Sequence, residues 1–227
     1  MTILVACGLR REARMMRGRG LVPVVGGGRA TALEDELERR VTRFAPVAAI
    51  LSSGLAGALD PSLKPGDVVV GHLVASADGG SSILERIRAL LPQARVGPIV
   101  GSDVIVATVE EKRALHARTG AVAIDMESHI AARVAARHGL PFAALRTISD
   151  GADQELPTAA LVGLRPDGRM AVGAVLASLA RDPAQLSALM GAAIGAERAF
   201  RALLRSHDVL ARAGIGGADP GQLPLDM

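Results

Sequence analysis

Short apolar runs alternate along the chain with longer amphipathic segments. The runs are apolar at consecutive positions, which is typical of strands that are buried on both faces of a sheet. They are bounded by Gly, Pro or Ser, and they cover residues 2–7, 21–25, 47–51, 67–75, 96–100, 121–124 and 142–148. The third run is predicted to end at Ser52-Ser53-Gly54.

The segments between these runs predict helices. In the first of them, Leu33, Leu37 and Val41 fall on one face at helical spacing. Gly139 and Pro141 form a stop signal after another of them. The predicted helices cover residues 30–44, 82–91, 109–118, 126–138, 170–180 and 183–205, and residues 156–167 predict a loop.

Strands that alternate with helices predict an α/β fold. We expect a single-domain three-layer αβα sandwich with a mixed, mostly parallel central sheet. The domain is expected to cover residues 1–206, and residues 207–227 are expected to be a disordered tail, since the end of the chain is rich in Gly and Pro.

Composition narrows the class of protein. The 227 residues carry a formal net charge of +3, and the arginines form no basic run, so we expect no nucleic-acid partner. A single Cys excludes a disulfide framework, and no histidine spacing predicts a metal site. No uncharged run is long enough to span a bilayer. The first residues are apolar and the basic ones follow, the reverse of a secretory signal, so we expect a cytoplasmic protein.

Ligands of parallel sheets bind at the carboxyl ends of the strands. The candidate positions therefore follow the predicted strands, at residues 8–12, 26–29, 52–57, 125–127 and 149–150. Only three aromatic residues occur, all Phe, so a pocket here has little surface for stacking.

The run Gly26-Gly27-Gly28-Arg29 follows a strand and opens a helix. Such glycines let backbone N–H groups approach an anion, but a flexible turn explains them equally well. The run is neither a dinucleotide-binding fingerprint nor a P-loop, which argues against a dehydrogenase or a methyltransferase.

Acidic residues stand at two of the strand ends. Asp125 and Glu127 precede a helix, where capping is the simpler interpretation, although capping by Asp125 alone leaves Glu127 free to bind a vicinal diol. Asp150 is either a turn former before Gly151 or a general acid whose position and pKa Ser149 and Arg146 set. Glu12, beside Arg10, is by default a solvated surface charge.

These segments resemble one known superfamily over about residues 1–180. The sequences AIDMES at 123–128 and RTISDGAD at 146–153, with GLAGAL at 54–59 and LKPGDVVV at 63–70, are similar to those of the purine nucleoside phosphorylases, uridine phosphorylases and methylthioadenosine/adenosylhomocysteine nucleosidases.

The resemblance implies roles for individual residues. Asp150 would protonate purine N7, and Glu12 would activate water in a nucleosidase. Glu127 would bind the ribose hydroxyls, and Met126 would pack under the sugar. The remaining substrate-binding residues are expected to be Arg146, Ser149, Gly57, Leu55 and Ile105.

Two positions depart from the family pattern. Leu55 stands where the family usually has a Ser or Thr that touches phosphate or the attacking water. Ile105 lies near the position at which the family often has a Phe that stacks on the base. We therefore expect a phosphate site built from Gly8, Arg10, Arg29 and Ser53, with Ser52 and Arg11 as substitutes. The resemblance implies no cofactor and a homo-oligomer.

Residues 156–168 are similar to the hopanoid-associated phosphorylases. This finer resemblance implies phosphorolysis of adenosylhopane, a nucleoside with a lipid at its 5′ carbon, and membrane contact only through such a substrate. Leu186, Leu189, Met190 and Ile194 would then border a greasy pocket, or they are simply core or dimer-packing residues.

Three functions remain open. The first is phosphorolysis of an adenine nucleoside with a modified 5′ position, for which the partners are the nucleoside and inorganic phosphate. The second is hydrolysis by a methylthioadenosine/adenosylhomocysteine nucleosidase, with water activated by Glu12. The third is a non-catalytic nucleoside-binding protein, which Leu55 and the low aromatic content favour.

Overall fold

A sheet of eight strands forms the centre of the chain in a computed structural model, which describes residues 2–16, 19–43, 46–74, 81–162 and 171–215. The strands are β1 (Thr2–Cys7), β2 (Leu21–Val25), β3 (Val47–Ala58), β4 (Val68–Gly71), β5 (Arg95–Val96), β6 (Ile99–Gly101), β7 (Ala123–Asp125) and β8 (Phe142–Asp150). The helices are α1 (Arg10–Met15), α2 (Ala30–Arg43), α3 (Ser82–Leu90), α4 (Val109–Thr119), α5 (Ser128–Arg137), α6 (Thr158–Leu161), α7 (Val172–Arg181) and α8 (Leu186–Arg212).

The sheet is mixed and mostly parallel, as predicted. Its order is β2-β1-β3-β8-β4-β5, with β7 paired to β3 and β6 paired to β7. Only the β3–β7 and β4–β8 pairs are antiparallel in the described part of the chain. Pro23 lies in β2, where the missing N–H faces no further strand because β2 is at the edge of the sheet.

Helices cover both faces of the sheet. On β1, Ile3, Val5 and Cys7 pack in a cluster with residues of α1, α3 and α8. Leu4 and Ala6 face the other way and pack with residues of α2 and α5. The three-layer αβα arrangement is therefore confirmed, and it explains why the strands are apolar at every position.

The predicted end of the third strand at residues 52–54 is wrong, because β3 runs on to Ala58. It pairs with β8 from Ile50 to Gly57, and this continuous ladder carries the strand through its serines and glycines. On its other edge, β1 leaves after Ser52 and β7 joins at Gly57. No strand in the described part of the chain pairs with residues 53–56 on that edge, and this gap positions the site described below.

The prediction of a disordered tail from residue 207 is also wrong for residues 207–215. Helix α8 continues to Arg212 because Leu203, His207 and Leu210 keep one buried face against the sheet. Ile215 is buried beyond the helix end. Residues 216–227 lie outside the described residues.

Other boundaries differ in smaller ways. Helix α1 was not predicted, and α6 forms within the predicted loop at 156–167, of which residues 163–167 lie outside the described residues. The long apolar run predicted as a strand at 67–75 reduces to β4. No helix among the described residues is both long and apolar enough to cross a membrane.

We predict opposite effects of one substitution at two glycines of α8. A Cβ at Gly195 would collide with the carbonyl oxygen of Ser149, near the end of β8, whereas a Cβ at Gly191 would meet only Gln154 Nε2 at 3.9 Å. Gly195→Ala is therefore expected to lower the free energy of unfolding by about 1–3 kcal/mol. Gly191→Ala, the matched control, is expected to raise it by up to about 1 kcal/mol.

Urea unfolding of the two variants measures both values. Equal stability of the two would contradict the close approach of α8 to β8.

Candidate active site

A pocket of about 280 Å³ opens at the gap along β3. Its wall comes from the ends of β1, β7 and β8, from α1 and α6, and from residues 104–106. Nine of the predicted site residues line it together: Gly8, Glu12, Leu55, Gly57, Ile105, Met126, Glu127, Ser149 and Asp150.

Glu12 is buried in this pocket, so the interpretation as a surface charge is wrong. Its Oε2 accepts a hydrogen bond from the Leu9 N–H at 2.7 Å, and its Oε1 accepts one from the Leu55 N–H at 2.8 Å. The Leu55 N–H is available because no described strand pairs with this residue on the edge of β3 away from β8. Burial raises the pKa of Glu12, and these hydrogen bonds only partly oppose the rise. A carboxylate with a raised pKa suits a general base near neutral pH.

Glu127 lies at the start of α5 and is buried beside Arg146. Arg146 Nη1 is 3.2 Å from Glu127 Oε2, and the guanidinium is fully buried behind the pocket wall. Burial raises the pKa of Glu127 to about 8, although the Arg146 charge opposes the rise. The Asp125 and Glu12 carboxylates add to the rise.

Asp125 caps the first turn of α5. Its Oδ1 accepts hydrogen bonds from the backbone N–H groups of Glu127 at 2.8 Å and Ser128 at 2.6 Å. Its Oδ2 lies 3.0 Å from Arg146 Nε. The capping interpretation is thus confirmed for Asp125, and it leaves the Glu127 carboxylate free to line the pocket.

Asp150 ends β8 with both carboxylate oxygens engaged. The Ser149 hydroxyl donates to Oδ1 at 2.7 Å, and Lys112 Nζ donates to Oδ2 at 2.6 Å. Ser149 therefore holds Asp150 as predicted. Arg146 does not, because its hydrogen bonds and ion pairs go to Ser52, Leu55, Ser128 and the carboxylates of Asp125 and Glu127.

Three of the four carboxylates that line the pocket, those of Glu12, Glu127 and Asp150, pack closely against a glycine. A Cβ at Gly54 would lie 2.6 Å from Glu12 Oε1, and one at Gly8 would lie 2.6 Å from Glu127 Oε1. A Cβ at Gly57 would lie 3.0 Å from Asp150 Oδ2. These glycines allow the carboxylates to approach the backbone closely.

The predicted phosphate site is not assembled. Ser53 turns away from the pocket, since its hydroxyl lies 3.0 Å from His207 Nε2 in the buried interior. Arg10 and Arg29 are exposed and are not among the residues that line the pocket. Only Gly8 of the predicted set reaches the wall. Ser52 and Arg11, the two substitutes, do not line the pocket either. Ser52 accepts a hydrogen bond from Arg146, and Arg11 pairs with Glu197 at the surface.

Lys112 was missed by the sequence analysis. It stands between Glu111 and Arg113 in a charged stretch, which is typical of a solvated helix face. The one available signal was that lysine is rare in this chain, since all cations except Lys64 and Lys112 are arginines.

The pocket wall has a distinct chemistry within the described residues. Four carboxylates line it and no cationic side chain does. No aromatic ring lines it either, so Val104, Ile105, Val106, Leu156 and other aliphatic groups form its apolar part. The described residues contain no cluster of His, Cys, Asp and Glu that could hold a metal ion.

The chain is similar to known proteins in both sequence and fold. Residues 74–181 match the model of the phosphorylase superfamily. A 5′-methylthioadenosine/S-adenosylhomocysteine nucleosidase of Staphylococcus aureus is 28% identical over 141 residues, a match that spans 51% of this chain and 61% of that relative. The match thus covers less than two thirds of the relative's length.

Solved structures share the fold over most of the chain. The futalosine hydrolase of Helicobacter pylori matches with a TM-score of 0.63 at 16% identity, covering 94% of this chain and 98% of that one. The 5′-methylthioadenosine/S-adenosylhomocysteine nucleosidase of Neisseria meningitidis, in complex with methylthio-immucillin-A, matches with a TM-score of 0.65 at 17% identity, covering 93% and 99%.

The raised pKa of Glu127 predicts a pH-dependent stability. The folded chain keeps the Glu127 proton up to about pH 8, whereas the unfolded chain loses it near the ordinary value of 4.5. Ionisation therefore favours the unfolded state as pH rises through this window, and the free energy of unfolding falls. Glu127→Gln lacks this contribution, so we expect the variant to gain stability relative to the parent between about pH 5 and about pH 8.

Urea unfolding across that pH range measures the difference. Glu85→Gln, at an exposed helix position, is the control and is expected to track the parent. A difference between Glu127→Gln and the parent that stays constant with pH would refute the assigned pKa.

Proposed function

We propose that the chain is a member of the nucleoside phosphorylase and nucleosidase superfamily, and that it cleaves the N-glycosidic bond of an adenine nucleoside with a modified 5′ position and releases adenine. One observation carries this proposal. Glu12, Glu127 and Asp150, which come from three separate segments of the chain, line one pocket.

The chemistry of the bond explains the need for these groups. Cleavage passes through a ribose with oxocarbenium character, so the departing purine must be neutralised and positive charge must be stabilised on the sugar. We assign Asp150 to protonation of purine N7, with Ser149 fixing its orientation. Glu127 accepts hydrogen bonds from the ribose hydroxyls, and Met126 packs beside the sugar.

We propose water as the nucleophile, with Glu12 as the base that takes its proton. The phosphorolysis expected from the sequence needs a phosphate site with cationic or hydroxyl-bearing side chains. Of the four residues predicted for that site, only Gly8 lines the described pocket, and it offers only its backbone. A phosphate dianion would instead meet the Glu12 carboxylate, at a cost in like-charge repulsion. The backbone N–H groups of Leu9 and Leu55 hold Glu12 in place.

An apolar 5′ substituent fits the rim of the pocket. Val104 and Ile105 line it and are 68% and 38% exposed, and Leu156 and Ala160 complete that side. A methylthio group and a polycyclic lipid both meet this description, so the proposal includes adenosylhopane by its resemblance at residues 156–168. Exposed apolar side chains on α7 and α8 support the homo-oligomer that the superfamily implies: Val172, Leu176, Leu186, Met190 and Ile194.

Adenine release from methylthioadenosine, adenosylhomocysteine, adenosine and adenosylhopane tests the proposal, with and without inorganic phosphate. We expect release from a 5′-modified nucleoside without phosphate, with free sugar as the second product. Asp150→Asn is expected to lower the rate by about 10²–10⁴-fold, and Glu12→Gln by a similar factor. Glu85→Gln serves as the surface control.

Two outcomes would overturn parts of the proposal. A strict requirement for phosphate, with a sugar phosphate as product, assigns phosphorolysis. No turnover of any nucleoside, together with unchanged binding of adenosine analogues by Asp150→Asn, assigns a non-catalytic binding protein.

A second prediction isolates the contact between Gly54 and Glu12. The Cβ of Gly54→Ala displaces the Glu12 carboxylate from its hydrogen bond with Leu55, so we expect at least a tenfold loss of kcat in a folded protein. The same change in a Glu12→Gln background is expected to add less than its effect in the parent. Gly173→Ala, where a Cβ meets nothing within 4 Å, is the matched control. Fully additive losses would show that Gly54 acts elsewhere.

A further inference from the structure

Lys112 is a buried cation whose three ammonium hydrogens all have acceptors. Its Nζ donates to Asp150 Oδ2 at 2.6 Å, to the Gly151 carbonyl at 2.9 Å and to the Gln154 carbonyl at 2.8 Å. The Lys112 side chain has no exposed surface, and that of Asp150 is 7% exposed. A neutral amine has only two hydrogens, so this geometry is that of the protonated lysine.

A buried ion pair of this kind is costly and needs a reason. Two apolar side chains of similar volume often stabilise a fold as well as such a pair does. Asp150, however, faces the pocket, whereas Lys112 lies behind it and is absent from the wall. The ion pair therefore connects the buried Lys112 ammonium with Asp150, which reaches the pocket.

We propose that Lys112 is a positioning residue that stores the proton which Asp150 delivers to the departing purine. This inference rests on the proposed N-glycosidic cleavage. Asp150 Oδ2 accepts a hydrogen bond from the Lys112 ammonium, which is the arrangement of a carboxylate, so the proton for N7 must come from a neighbour. Lys112 Nζ lies within hydrogen-bond distance of the same oxygen, Oδ2, that faces Gly57 on the pocket wall.

The step balances in atoms and charge. The bond between ribose C1′ and purine N9 breaks, and its electron pair goes to the purine. Purine N7 takes a proton from Asp150, which takes one from Lys112 and leaves a neutral amine. The attacking water forms a bond to C1′ through its oxygen and gives a proton to Glu12. Exchange of that proton with solvent and uptake of one by Lys112 restore the enzyme.

The charged groups around the pair are few. Asp150 is the one ionisable side chain in the described residues that bonds Lys112 directly. On α4, the carboxylate of Glu111 accepts hydrogen bonds from the N-cap residue Thr108. On the loop after β8, Asp153 and Glu155 are exposed. Three carboxylates lie across the pocket: Glu12 on α1, Asp125 at the end of β7 and Glu127 at the start of α5. Arg146 of β8 lies behind them and contacts the last two.

A purely structural role is the alternative, since Lys112 also ties α4 to the loop after β8. The two roles differ in their pH dependence. If Lys112 supplies the proton, adenine release is expected to stay active into the alkaline range. If Asp150 acted alone, its carboxyl group would already be ionised there and could not donate. A structural tie lowers activity or stability by the same factor at every pH.

The test is kcat and KM for adenine release against pH, in a parent enzyme first shown to be active. Lys112→Met, an apolar side chain of similar length, is expected to lower kcat at least tenfold on the alkaline side and to move the basic limb to lower pH by about one unit or more. KM and the acidic side are expected to change less than about threefold. Ser149→Ala, which removes the other hydrogen bond to Asp150, is the control and lowers kcat without moving the limb.

Lys112→Arg covers the case in which the Met variant fails to fold. A guanidinium keeps the charge but does not give up its proton, so kcat is expected to stay low in a folded protein.

Two results would overturn the inference: an unmoved basic limb in Lys112→Met, or full activity in Lys112→Arg. An inactive parent refutes the proposed function instead, and the two failures are therefore distinguishable.

Discussion

The site depends on holding several carboxylates out of water with few cations. Glu12, Asp125 and Glu127 lie around one buried guanidinium, that of Arg146, which contacts the last two directly. Burial raises the pKa of both glutamates, and the single Arg146 charge only partly opposes the rise. Burying carboxyl groups costs free energy, but such sites occur where reactive groups are needed, because carboxyl groups with raised pKa values can exchange protons near neutral pH.

The sheet provides the space for this cluster. Strand β3 loses β1 as a neighbour before it gains β7, and the unpaired stretch exposes the Leu55 backbone. Its N–H binds Glu12 and its carbonyl accepts from Arg146 Nη1 at 3.3 Å. Glycines at three wall positions let the carboxylates pack against the backbone itself. A strand with an ordinary partner on each edge would have no free groups to offer.

The sequence predicted the sheet well, since strands such as β1 and β8 are apolar on both faces and leave a strong pattern. It also predicted that Glu127 and Asp150 line one pocket, on the expectation that both follow parallel strands. That reason was wrong, because β7 is antiparallel to β3, and Glu127 reaches the pocket because β7 joins β3 beyond the point where β1 leaves it. Local patterns failed where burial depends on distant segments. Glu12 and Lys112 both sit in charged stretches, and only tertiary contacts with Leu55 and Asp150 make them interior groups. The prediction that Ser53 belongs to a phosphate site was wrong for a related reason. The strand was predicted to end at this residue, so the sequence did not indicate on which face of the sheet its side chain lies.

The proposed function requires that three carboxylates act on one nucleoside at three different atoms. The most direct measurement is a crystal structure of Asp150→Asn with an intact 5′-modified adenine nucleoside bound. We expect purine N7 within hydrogen-bond distance of residue 150, the ribose hydroxyls at Glu127, and a water between Glu12 and C1′. A nucleoside bound in the reverse orientation, or outside the pocket along β3, would contradict the account.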